Sequence, residues 1–233
     1  MEALYLEDPY LKEFLAEVLK VDGRNVILDK TAFYPAGGGQ PHDTSSLFRA
    51  EGEFRVIAVK KSDGEIVHEL DKQGVKEGDS VKGVIDWARR YKLMRMHTAA
   101  HVLAAVFHRI AGALITGNQL GEGQSRIDFA LEDFDREKIG FFFEEANKIV
   151  ARDLKVRLYW LSREEAMQNP ELFKLAAGFK HDFEKIRIVE IGEVDKQADG
   201  GCHVASLGEV GTIEFLKAEN KGKSNRRVYF TVN

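Results

Sequence analysis

The stretch WARRYKLMRMHTAAHVLAAVFHRIAG, residues 87–112, is where the chain changes its period. Its apolar residues recur at helical spacing, and Gly112 supplies a natural C-terminal stop. Upstream, AEVLKV, NVILDK, SSLFRA, EFRVIAVKK and GEIVHEL alternate apolar and polar residues between the turn signals DGRN, EG and SDGE. Such runs are antiparallel strands joined by hairpins. EGDSVKGVID adds one further strand, so residues 1–86 are expected to form a small β-barrel.

Downstream of the helix the two periods mix. GQSRIDFAL, KVRLYWLS and IRIVEIGEVD read as strands, and FDREKIGFFFEEANKIVARD reads as a second long helix. REEAMQNPELF is a short helical stretch interrupted by Pro170, and GTIEFLKAEN pairs with RRVYFTVN across the loop KGKSN. The expected class is α+β: a barrel over 1–86, then a domain over 87–233 with two main helices against an antiparallel sheet.

Composition narrows the function classes. The chain has 233 residues, 44% hydrophobic and 31% charged, as in an ordinary soluble protein. No apolar run approaches the roughly 20 residues that cross a bilayer. The opening MEALYLEDPYLKEF lacks the basic start and apolar core of a signal peptide. One cysteine allows no internal disulfide, which points to a reducing cytoplasm. Residues 1–86 carry 11 Lys+Arg against 17 Asp+Glu, and the remainder 23 against 21. That balance argues against a general nucleic-acid coat but permits a local phosphate-binding edge.

Chemistry enters with MHTAAH and DGGCHV. His97 and His101, four apart, share a helix face one turn from each other, as two ligands of one metal ion require. Zinc proteases place a glutamate after the first histidine; here Thr98 stands there, which sets peptide hydrolysis aside. About a hundred residues on, Asp199, Cys202 and His203 surround Gly200 and Gly201 just after a strand. His42, His68, His108 and His181 show no ligand spacing.

Three motifs in order, TAFYPAGGGQPHDT (31–44), HTAAH (97–101) and DGGCHVASLGEVG (199–211), resemble those of the stand-alone alanyl-tRNA editing proteins of the AlaX type, similar to the editing domain of alanyl-tRNA synthetase. The resemblance covers essentially the whole chain. It implies one zinc ion on His97, His101 and His203, with Cys202 or Asp199 as fourth ligand. Asp199 holds the place where the family usually has cysteine; Cys202 offers a softer thiolate three residues later, and water or substrate is a third option.

The same resemblance implies hydrolysis of the ester joining serine, and with it glycine, to alanine tRNA. It places Thr31 against the serine side chain. Gln40 and Gly38 shape the pocket, and Asn118 and Gln119 in TGNQLGEGQSRIDF are further polar contacts. Lys217, Lys221, Lys223, Arg226 and Arg227 are the expected tRNA-binding cations, with RRYK as a second candidate. The zinc is expected to position the substrate more than to activate water. FYPAGGGQP is neither a P-loop nor a dinucleotide fingerprint, so no ATP is expected. A monomer is expected, no long heptad segment being present. The alternatives are a non-catalytic tRNA-binding module with structural zinc, or a zinc hydrolase of other aminoacyl esters such as D-aminoacyl-tRNA.

Overall fold

The computed structural model describes residues 1–50, 52–131, 136–173, 184–222 and 224–233. The chain divides into two compact units, Met1–Lys92 and Leu93–Asn233.

The first unit begins with β1 (Glu2–Ala3) and the single turn α1 (Leu4–Glu7). Strands β2 (Glu13–Asp22), β3 (Asn25–Leu28), β4 (Lys30–Thr31), β5 (Ser45–Arg49), β6 (Gly52–Ser62), β7 (Glu65–Leu70) and β8 (Ser80–Ile85) follow. β1 and β4 form a small parallel pair; the other six close into a barrel in the order β2-β3-β7-β6-β5-β8. The cause is strict alternation: in β2 Phe14, Ala16 and Val18 point inward between exposed Glu13, Leu15 and Glu17. Closure leaves no open sheet edge among these six strands.

The glycine-rich segment between β4 and β5 is tied down by a buried cation. Arg90 has no exposed surface, and its guanidinium donates to Asp43, to the Pro9 carbonyl at 2.9 Å and to the Ala32 carbonyl at 2.6 Å. Asp43 in turn accepts the Tyr34 amide at 2.6 Å. One full charge pair thereby satisfies backbone groups that no strand ladder reaches.

Helix α2 (Trp87–Ala111) leads into the second unit, where nearly every residue from Leu93 to Phe107 is buried. A helix buried all round is a core helix, and its polar members must each find a partner. Then come β9 (Ile115–Gln119), β10 (Ser125–Ala130), α3 (Arg136–Val150), β11 (Val156–Ser162) and α4 (Arg163–Met167). The chain ends with β12 (Lys185–Ile191), β13 (Asp195–Ala198), β14 (Ile213–Asn220) and β15 (Asn225–Val232). One antiparallel sheet runs β14-β15-β10-β9 and a second runs β11-β12-β13. Phe107 of α2 stacks on Phe129 of β10 at 4.1 Å and meets Phe142 of α3 edge-on.

Two local features differ from expectation. IRIVEIGEVD is a hairpin and not one strand: β12 stops at Ile191, Gly192 takes a positive φ of 47°, and β13 starts at Asp195. Gly192 permits that backbone turn, and the Val194 amide closes it on the Ile191 carbonyl at 2.9 Å. ITGNQ is a strand, β9, whose polar residues carry little periodic signal.

Candidate metal centre

Helix α2 supplies His97 and His101, and the turn after β13 supplies Asp199 and His203. One ligand atom from each of the four lies within 4.8 Å of all the others. The imidazole centroids stand 5.2 Å apart for His97 and His101, 4.3 Å for His97 and His203, and 4.6 Å for His101 and His203. Asp199 Oδ2 lies 3.5 Å from His97 Nε2 and 3.9 Å from His101 Nε2, while Oδ1 lies 3.2 Å from His203 Nε2.

Those separations fit one small cation. Two atoms each about 2.0 to 2.1 Å from a tetrahedral ion stand about 3.3 to 3.4 Å apart. Three imidazole nitrogens and a carboxylate oxygen are also a donor set that zinc accepts. Cys202 is buried and lies outside the cluster; of the two candidates for the fourth place, the fold brings in Asp199.

The surrounding chain fixes this geometry. Gly201 backs directly onto His97, and a Cβ there would sit 2.2 Å from its Cε1. Only glycine lets the turn approach so closely. Asp199 Oδ1 accepts the Gly201 amide at 2.5 Å. Arg187 of β12, buried, donates from Nη1 to the carbonyls of Asp199 at 3.0 Å and Gly201 at 2.9 Å. Thr98, the residue between the two helical histidines, has its Oγ1 3.2 Å from His203 Nδ1 and accepts the Val204 amide. Asp195 Oδ2 lies 2.9 Å from His101 Nδ1.

Electrostatics keep most donors in ligand form. Burial would raise Asp199, but neighbouring His97 and hydrogen bonds from His101 and His203 outweigh it and hold the carboxyl well below its usual range. Burial, reinforced by nearby His97, pushes His203 well below the ordinary histidine value, so it is neutral. At His101 burial is overcome by Asp195 and Asp199, which lift it to about 9. A cation binding there displaces that proton, so affinity should rise with pH.

Arg187, Asp195 and Gln197 have no place in the sequence reading, and Thr98 enters it only as the residue that stands where zinc proteases carry glutamate. Asp195 and Gln197 do alternate in DKQAD, so they share one strand face, and Arg187 is a lone cation within the apolar run IRIV of β12. Both were available signals.

The other expected residues are not among the four of the cluster. Thr31 ends β4 in the first unit, completely buried; its Oγ1 is 2.8 Å from His68 Nε2 and accepts the Phe33 amide at 3.1 Å. Gln40 is buried, and Gly38, exposed with φ 58°, tops the tight turn closed between Gly37 and Gln40. Asn118 and Gln119 belong to β9, where Gln119 accepts from Arg126 Nε at 3.2 Å.

The expected basic cluster is largely engaged within the protein. Lys217 and Lys221 flank Glu219 at 2.7 and 2.9 Å. Arg226 is buried and donates to Asn220 and the Gly222 carbonyl; Arg227 grips Asp128 through two bonds of 2.7 and 2.8 Å. Lys223 lies outside the described residues. In RRYK, Arg90 is the buried brace of the glycine-rich segment, and Arg89 donates to the His42 carbonyl. A phosphate must therefore compete with carboxylates for most of these cations.

Comparison with known proteins adds independent information. Residues 3–89 match the family described as tRNA synthetases class II (A), and residues 186–229 match the threonyl and alanyl tRNA synthetase second additional domain. The alanyl-tRNA editing protein AlaX-M of Methanosarcina mazei is 51% identical over 99% of this chain and 96% of its own length. That of Saccharolobus solfataricus is 47% identical over 99% and 98%. The alanine–tRNA ligase of Pyrococcus abyssi is 42% identical over 97% of this chain but only 25% of the ligase.

Proposed function

This chain belongs to the AlaX family of alanyl-tRNA editing proteins, and from that premise we propose that it hydrolyses, in trans, the ester joining serine to alanine tRNA, with glycine as a second acyl group. Editing of this kind answers a physical limit: a pocket shaped for alanine rejects a side chain that merely adds a hydroxyl by only about a hundredfold. The observation that carries the proposal is the convergence of three imidazoles and one carboxylate from two distant segments on a volume the size of one ion.

His97, His101, His203 and Asp199 would hold zinc. Bound there, the ion supplies a positive centre that attracts and orients the polar groups of the aminoacyl ester. Four protein donors would leave no open position on a four-coordinate ion, which favours positioning over activation of water.

Thr31 is the residue we assign to the serine hydroxyl. Burial holds His68 neutral, at about 4, and its Nδ1–H faces the Val26 carbonyl at 3.3 Å. His68 Nε2 is therefore an acceptor, and Thr31 donates to it. With one lone pair taken by the Phe33 amide, Thr31 has one left, an acceptor suited to a serine hydroxyl and useless toward alanine. Lys217 and Lys221 are the cations assigned to tRNA phosphates.

Incubation with Ser-, Gly- and Ala-tRNA(Ala) tests the proposal. Rapid loss of serine with alanine retained is expected; equal loss of all three would reject the assigned selectivity. The four-donor shell also suits a purely structural zinc in a tRNA-binding module, and tRNA binding without turnover would select that reading.

A further inference from the structure

We propose that Asp195 is a positioning residue for the metal centre, fixing the tautomer and direction of His101 from outside the ligand shell. The inference rests on the reading of the four-residue cluster as a metal site. Asp195 has no exposed side-chain surface, and its Oδ2 lies 2.9 Å from His101 Nδ1. A carboxylate at that distance takes the Nδ1 proton as a hydrogen bond. With the Nδ1 proton held there, the proton a cation displaces is the one on Nε2, the atom that faces Asp199.

The placement follows from the hairpin. The turn at Gly192 sends β13 back along β12, and Asp195 and Gln197, two apart, share one strand face. Gln197 Nε2 lies 2.8 Å from that Oδ2, to which it donates, and 2.8 Å from His101 Nδ1; with the carboxylate taking the Nδ1 proton, the amide's hydrogen bond goes to Asp195 and holds it in place. A buried carboxylate fastened by an amide and aimed at the far nitrogen of a ligand histidine is the arrangement that orients metal-bound imidazoles. Thr98 stands in the corresponding place beside His203 Nδ1, with a neutral hydroxyl.

The test measures zinc affinity of the full-length protein by chelator competition for the parent, Asp195→Ala and the near-isosteric Asp195→Asn. Circular dichroism verifies the fold, and nitrogen-15 NMR of His101 in the zinc-loaded state reports the tautomer. Removing such a partner should weaken zinc about 10- to 100-fold. The parent should show a single Nδ1–H form of His101 and Asp195→Ala a mixture, a change that general loosening would not single out at this ring. If Asp195→Ala fails to fold, Asp195→Asn decides alone, and weaker zinc binding by it is then the supporting result. A parent that binds zinc while both folded variants bind it equally well overturns the inference alone. A parent that binds none overturns the metal site and the inference together.

Discussion

Arg187 Nη1 donates to the Gly201 carbonyl at 2.9 Å, and so a buried guanidinium on β12 holds the glycine turn against the face of the helical histidines. The same nitrogen takes the Asp199 carbonyl at 3.0 Å. Replacing Arg187 with Met leaves two carbonyls short of a donor, at a cost of about 1 to 3 kcal/mol. Arg187→Met should therefore lower Tm and weaken zinc binding together, with Arg187→Lys between the two. Thermal melts with and without zinc measure both; an unchanged zinc-induced rise in Tm would show that the clamp does not act on the site.

Gly201→Ala isolates the approach of the turn. The added methyl would stand 2.2 Å from His97 Cε1 and 2.4 Å from Nδ1, so either the ring or the turn must move. The change should leave the fold intact and reduce zinc affinity at least about tenfold, since ligand placement fails before packing does. Isothermal titration with zinc measures it, and parental affinity would show that the turn has slack.

Much of this was legible in the sequence, for identifiable reasons. His97 and His101 follow from helical spacing, and the barrel follows from alternation in residues such as Phe14, Ala16 and Val18. The choice between Asp199 and Cys202 was not legible. Both sit in one tight turn, where direction depends on backbone geometry and on Arg187, which is far away in sequence. The hairpin at Gly192 was not legible either, because a glycine within an apolar run is equally compatible with a strand and a turn. The partner of Arg227 was invisible for another reason: Asp128 lies 99 residues away, and only the β10–β15 pairing brings them together.

The His68–Thr31 pair gives the first unit a pH dependence. His68 is lowered from 6.5 to about 4 by burial, partly offset by its bond to Val26. The unfolded chain therefore takes up a proton below about 6.5 that the folded chain refuses until about 4. Stability should fall as pH drops through that window, by up to about 1.4 kcal/mol per unit. His68→Gln, which can still accept from Thr31, should flatten that part of the curve. Denaturant melts between pH 7.5 and 4.5 measure the slope, and an identical slope in the variant would place the acid sensitivity elsewhere.

Lys217 and Lys221 allow the proposed tRNA contacts to be tested without disturbing the arginines that hold the sheet together. Both lysines are exposed and share Glu219, whose carboxyl they pull down to about 2, so it stays charged and competes with any phosphate. Each phosphate contact to duplex nucleic acid contributes about 0.9 to the slope of log affinity against log salt. Lys217→Ala with Lys221→Ala should thus weaken tRNA binding and reduce that slope by up to about 2. Glu219→Gln should act oppositely, strengthening binding at low salt by releasing both ammonium groups. Arg227→Ala is a different experiment, because it strips Asp128 of a bidentate partner and so loosens the β10–β15 pairing. Filter binding across a salt series separates these cases: a slope untouched by the double lysine change would move the phosphate contacts off this hairpin.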